Sequence, residues 1–351
     1  MSRFSRRRGQ LSAIVFLCGL IACQPAICAE EKILSLAVNP VDDNYSGAFS
    51  LAIEAGVRGQ PLIWKWSDLE PSPGKFDLLD AVNSIQFLCK QKSFTVLVNL
   101  PVINSTVKEI PADLYRVPFN SSEMAQRFHD LIDGISPLMD PHVKYLVIGN
   151  EVDVYLSRNP EEWDAYQKFY EDALDYVHHK IPGILVGVCV THEGVKGAYS
   201  ANILSLTRKS DVWVTTCYPF GNNFKPLKPD SVGAILEQMV QFSGNLPVVI
   251  QEIGYPSAAF LDSSEKNQAD FVSATLRAWG DQGEKIPFLS FWEMYDPSEE
   301  EVEQLASYYG LSGSPQFKAY LKSLGFRNSD GSPKPAWSAF IEVSREKGFI
   351  R

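Results

Sequence analysis

Hydrophobic residues fall into eight short runs separated by segments of helical period. The runs are ILSLAV from Ile33, PLIWKW from Pro61, FTVLVNL from Phe94 and YLVIGN from Tyr145, then ILVGVCV from Ile184, VWVTTCY from Val212, PVVIQE from Pro247 and PFLSFW from Pro287. Their near-continuous Val, Ile and Leu content is what a strand buried on both faces of a parallel sheet requires. A spacing of roughly 30–50 residues leaves room for one strand and one helix per unit. The intervening segments carry helix signals. Asn159-Pro160-Glu161-Glu162 supplies a cap, a first-turn proline and acids at the positive end, and Trp163, Tyr166, Tyr170, Ala173, Leu174 and Val177 form one apolar stripe. His178, His179 and Lys180 read as last-turn residues suited to the negative end, not as metal ligands. A second helix opens near Ser264 and buries Phe271, Val272, Leu276 and Trp279. The tail from Gln316 to Arg351 reads as the last helix and a C-terminal helix around Trp337, joined by residues 328–335. Eight strand–helix units predict an α/β fold, a closed (β/α)₈ barrel in a single domain, with an open doubly wound sheet as the alternative.

Composition adds an address. A hydrophobic fraction of 45% with 21% charged residues suits a chain with a sizeable core and excludes disorder, while 12% aromatic residues suits carbohydrate binding. Residues 1–29 have the basic start and short apolar stretch of a secretory signal, with Arg6-Arg7 as plain leader charge, so export to the periplasm, the cell surface or the medium is expected. Two readings of its end stand: Leu20-Ile21-Ala22-Cys23 as a lipobox that leaves lipid on Cys23, or ordinary cleavage near Ala29. Removing 1–29 takes away four arginines, so the formal charge moves from −10 to −10 − 4 = −14 on residues 30–351. Such an acidic body repels nucleic acid and polyanionic glycans. Cys89, Cys189 and Cys217 form no zinc-like spacing or disulfide framework and read as core residues. No phosphate loop, HExxH or calcium loop is present, so neither metal nor cofactor is expected, and a monomer is. Asn44, Asn104 and Asn120 head glycosylation sequons that matter only in a eukaryotic host.

In such a barrel the C-terminal strand ends build the active site, and two of them carry glutamates. Run four ends Gly149-Asn150-Glu151 and run seven ends Gln251-Glu252-Ile253-Gly254-Tyr255-Pro256. A carboxylate after an apolar run is costly unless it faces the open mouth or has a partner. Strands four and seven lie nearly across the barrel from one another, so the two carboxyl groups can flank one bond, as glycoside hydrolysis needs.

These motifs resemble glycoside hydrolase clan A, whose members carry Asn-Glu after strand four and Glu after strand seven. The resemblance implies Glu151 as acid/base, Glu252 as nucleophile and Asn150 as a holder of the sugar 2-hydroxyl. It further implies Tyr218 as a hydrogen-bond donor to the nucleophile and Trp292 as a sugar-stacking platform. Glu252 is then expected to stay ionised through hydrogen bonds such as the one from Tyr218, while Glu151 carries the proton.

The segments Gln251–Ser257 and Cys217-Tyr218-Pro219-Phe220 are similar to those of family 17, with Tyr255 in place of its tryptophan. The segment from Trp64 through Trp66-Ser-Asp-Leu-Glu70-Pro to Phe76 resembles one found after strand two in several clan families, which makes Trp64 a candidate substrate-binding residue and Glu70 a candidate ligand of sugar. The arginine and histidine of family 5 have no counterpart, because Lys65 and Pro101 stand there, and family 53 is another relative to weigh. Simpler readings stand beside these: a salt bridge for Glu70, a satisfied loop histidine for His192, and core packing for Trp64 and Trp292. Residues 101–122 are expected to form the longest post-strand loop and one wall of the cleft. The implied activity is a retaining β-glycosidase on a neutral carbohydrate. A transglycosylase would use the same residues, and an inert lipid-tethered glycan-binding barrel is the reading from another class.

Overall fold

The computed structural model describes residues 32–350 apart from 41–43, 91–93 and 140. The leader and Cys23 lie outside the described residues. All eight apolar runs form strands: β1 Ile33–Leu36, β2 Gly59–Ile63, β3 Thr95–Asn104, β4 Val143–Asn150, β5 in two segments, Leu185–Gly187 and Cys189–Thr191, β6 Trp213–Cys217, β7 Val248–Ile253 and β8 Phe288–Phe291. Neighbours pair in parallel in chain order, and β8 pairs back onto β1, with Ile33 opposite Phe288. The sheet closes through β5: Leu185–Gly187 pairs with β4 and Cys189–Thr191 with β6. This is the closed (β/α)₈ barrel, not the open sheet.

Each strand is followed by a helix on the outside: α1 Tyr45–Glu54, α2 Leu79–Cys89, α3 Ser122–Ile135, α4 Trp163–Lys180, α5 Ser200–Thr207, α6 Val232–Phe242, α7 Glu265–Asp281 and α8 Pro335–Glu346. α7 starts where its Ser264 side chain accepts from Asn267 N at 3.1 Å. α4 buries the expected stripe plus Phe169.

Two cores result. Ile33, Leu97, Tyr145, Val147, Cys189, Val212, Val214, Val249 and Phe288 fill the barrel interior, while a larger cluster lies between strands and helices. Toward the mouth the interior turns polar: Ser35 donates to Ser290 at 3.0 Å, and Asn99 and Gln251 are fully enclosed above the apolar residues.

Two expectations change. Pro101 lies inside β3, where the register against β4 shifts between Leu100 and Asn104, so the strand runs on into a hairpin with Val107–Lys108. A proline has no N–H for the ladder and is tolerated at such an irregularity. The longest post-strand connection therefore follows β8, residues 292–334, and contains two helices, Glu299–Tyr308 and Pro315–Leu321. The segment from Gln316 thus belongs to this connection, and the helix containing Trp337 is the barrel's own eighth.

Candidate active site

The end of β4 depends on a glycine. Gly149 has φ +92°, and a Cβ there would sit 2.3 Å from the Tyr166 hydroxyl oxygen and 2.4 Å from Val152 Cγ1, so only glycine fits. The Tyr166 hydroxyl donates to Ile148 O at 3.1 Å, which ties α4 to the strand end. Glu151 follows in the left-handed region, φ 47° and ψ 43°, a strained position for a side-chain-bearing residue. Two hydroxyls hold its carboxylate: Ser105 Oγ donates to Oε2 at 2.6 Å and Thr216 Oγ1 to Oε1 at 2.7 Å.

Thr216 is also the register partner of Glu252, so one threonine of β6 brings the two glutamates together. The Tyr218 hydroxyl donates to Glu252 Oε2 at 2.7 Å, and Gln251 Nε2 lies 3.4 Å from Oε1. Gly254 makes this packing possible, because a Cβ there would stand 2.7 Å from both Trp292 O and Tyr218 Cε1. Glu252 is 8% exposed. Burial first, then the Glu151 charge, pushes its pKa up to about 7, against the lowering effect of the Tyr218 and Gln251 bonds. The expected bond from Tyr218 is present, but desolvation outweighs it and the Gln251 bond together. The Glu151 charge is thus the second reason that Glu252 resists ionisation. The hydroxyls of Ser105 and Thr216 can turn to accept from a protonated Glu151, whereas the Gln251 amide can only donate to Glu252.

Beneath the pair lies a network of amides. Asn150 Nδ2 donates to Asn104 Oδ1 at 3.0 Å, and Asn150 Oδ1 accepts from Gln251 Nε2 at 2.9 Å and from Asn99 Nδ2 at 3.4 Å. Asn99 Nδ2 also donates to Gln251 Oε1 at 2.9 Å. Asn150 is thus held rigidly, and buried Asn104 has no room for a glycan. Asn99, Asn104 and Gln251 interrupt otherwise apolar strands, a signal that marks the polar mouth of the barrel.

Other expected residues divide. Trp292 is half-buried beside Tyr218, at the edge of an aromatic cluster. Trp64 packs in the outer core, 6% exposed. Glu70 is structural: it accepts from Trp66 Nε1 at 2.9 Å, Gly74 N at 2.7 Å and Arg127 Nε at 2.8 Å, so it pins the β2–α2 loop to α3. His192 is buried and pairs with Glu193 at 2.8 Å. Cys189 and Cys217 are buried, Cys89 partly so, and none is in a disulfide. Among the described residues no cluster of His, Cys, Asp and Glu could hold a metal ion.

The sequence reading missed the cover over this site. Helix Glu299–Tyr308 begins with a capping box, Ser298 and Glu301 bonding each other's backbone, a signal present in the sequence as Ser-x-x-Glu. At its far end the Tyr308 hydroxyl accepts from Asn104 Nδ2 at 2.9 Å and donates to Glu109, with Lys65 Nζ 4.8 Å from the ring centre. Tyr309 lies near Ser105, and burial, then the charges of Glu151 and Glu252, raise its pKa. Tyr320 of helix Pro315–Leu321 meets Tyr218 edge to face, with ring centres 5.7 Å apart. Glu293 was missed as well. It follows Trp292, accepts from Asn39 Nδ2 at 3.0 Å, and is pushed well above the usual carboxylate range by burial first and then by neighbouring acids that include Glu252.

This architecture recurs in solved structures. A GH5_18 protein from Streptomyces cattleya in complex with GlcNAc superimposes with a TM-score of 0.72 at 16% identity, over 91% of this chain and 81% of that one. The exo-β-1,4-mannosidase Op5Man5 from Opitutaceae bacterium strain TAV5 gives 0.71 at 17% identity, over 92% and 60%. A family 39 glycoside hydrolase from Bacteroides cellulosilyticus WH2 gives 0.65 at 17%, over 90% and 64%. The chain has their barrel. No family model matches it, and no curated protein does.

Proposed function

We propose that the chain is a retaining glycoside hydrolase acting on neutral β-glycosides, with Glu252 as nucleophile and Glu151 as acid/base. The observation that carries this is the meeting of the two carboxyl groups across Thr216 at the barrel mouth, with Tyr218 directed at Glu252. Glu252 attacks the anomeric carbon as the glycosidic C–O bond breaks, and the departing oxygen takes the proton of Glu151. Bonding to the sugar removes the Glu252 charge, so Glu151 then works as a base. It takes a proton from water, whose oxygen bonds to the anomeric carbon and frees Glu252. Such a mechanism asks for carboxyl groups ~5–5.5 Å apart. Trp292 offers the apolar face on which that sugar stacks, and Asn150 the amide beneath it. Trp292→Ala should therefore lower kcat/KM with the fold intact, and an unchanged kcat/KM returns it to the packing.

The test is a panel of aryl β-glycosides, headed by the β-mannoside because a solved neighbour is named a β-mannosidase. Glu252→Ala should abolish turnover. Glu151→Ala should keep the first step for leaving groups that need no proton, and added azide should restore turnover and give the β-azide. Full activity in Glu252→Ala contradicts the assignment. We also place lipid on Cys23, because the four-residue lipobox directly follows the apolar stretch. The mass of the mature N-terminal peptide decides this, and an unmodified start near Glu30 refutes it.

A further inference from the structure

From the cover over the mouth we infer that the site is a pocket closed beyond the cleaved sugar, so that it takes only the non-reducing end of a neutral β-linked glycan and releases one sugar per turnover. This rests on the hydrolase reading above and deepens it. An enzyme that cuts within a chain needs a groove open at both ends, and here the β8–α8 connection crosses the mouth. It leaves β8 at Trp292, beside the nucleophile, passes over β1, and is fastened at the ends of strands two and three.

The fastening consists of specific contacts. Asn104 donates to Tyr308, Tyr308 donates to Glu109, and Lys65 lies over the Tyr308 ring. Ser67 Oγ in turn donates to Glu109 Oε1 at 3.0 Å, which joins the loop after β2 to the same point. Nearer the glutamates, Tyr309 lies near Ser105, the residue that holds Glu151, and Tyr320 packs on Tyr218, the residue that holds Glu252. Sugars beyond the one bonded to Glu252 would have to pass through these contacts.

The polar groups beside the nucleophile suit a chain end. A terminal sugar keeps free the hydroxyl that an internal sugar has committed to the next linkage. Glu293 and Asn39, bonded to each other next to Trp292, supply a carboxyl and an amide there. Burial raises the pKa of that carboxyl well above the usual carboxylate range.

The experiment uses the whole mature protein and β-1,4-linked manno-, gluco- and galacto-pentaoses labelled at the reducing end. Each is offered with its non-reducing end free and with that end blocked by a 4,6-O-benzylidene group, beside the corresponding aryl monosaccharides. The expected result is that a free monosaccharide and a labelled tetramer appear first, and that the blocked pentaose is cut at least 100-fold more slowly than the free one. Internal fragments as first products, or blocked and free substrates cut at similar rates, overturn the closed pocket while leaving the hydrolase reading in place. Absence of turnover on every free substrate, the aryl monosaccharides included, overturns the hydrolase reading and this one with it.

Discussion

Glu252 shows how a single side chain sets both stability and activity. Its pKa is raised by burial from an ordinary 4.5 to about 7. At pH below 4.5 the carboxyl is protonated whether the chain is folded or not, so nothing is lost. As pH rises through about 7 the folded protein must release a proton that the unfolded chain gave up earlier, and stability falls by an amount on the order of 3 kcal/mol. Glu252→Gln should therefore raise Tm by several degrees at pH 8 and by much less at pH 4.5, and an equal shift at both pH values argues against a buried charge. Glu252 must be ionised to attack, so its raised pKa also sets the acid limb of kcat/KM, near pH 7. Tyr218 lowers the Glu252 value, so Tyr218→Phe should move that limb to higher pH, and a limb that stays or moves down excludes the bond as a tuning contact.

At the scale of elements, the positions of the glutamates depend on backbone features that flank them. Gly149 allows β4 to end in a left-handed turn against Tyr166, and this turn aims Glu151. Gly149→Ala adds a methyl group where two atoms already stand within 2.4 Å and forces a side-chain-bearing residue to φ +92°. It should cost roughly 2 kcal/mol or more in stability and about 100-fold in kcat/KM, since misplacement of a reacting group by about 1 Å is enough for that. Unfolding curves and kinetics on one preparation check both, and parent-like kinetics would remove the strand end from the account of catalysis. The Glu70 segment is the opposite case. Its likeness to a segment of several clan families makes Glu70 a candidate ligand of sugar, but the carboxylate is enclosed by Trp66, Gly74 and Arg127 and secures a loop.

At the scale of the whole molecule, the barrel was legible because each strand is buried on both faces and so appears as an apolar run, and because closure needs only eight such units. The two glutamates were legible for the converse reason: a carboxylate at the end of an apolar run has few physical excuses. The cover was not. Its grip on the mouth joins Tyr308 to Asn104, 204 residues apart in the chain, and nothing local to either residue announces the other. Nor did the sequence disclose that Asn150 is held by Asn99, Asn104 and Gln251, since amides on three strands meet only once the register is set. The raised Glu252 pKa is likewise a property of enclosure, which the one-dimensional pattern of a strand end does not convey.

The central claim is that Glu151 and Glu252 act by double displacement. Proton NMR of the anomeric signals during the first minutes of hydrolysis of an aryl β-glycoside tests it most directly. A β-configured sugar should appear first and then mutarotate to the α form, whereas an α-configured first product would contradict the account.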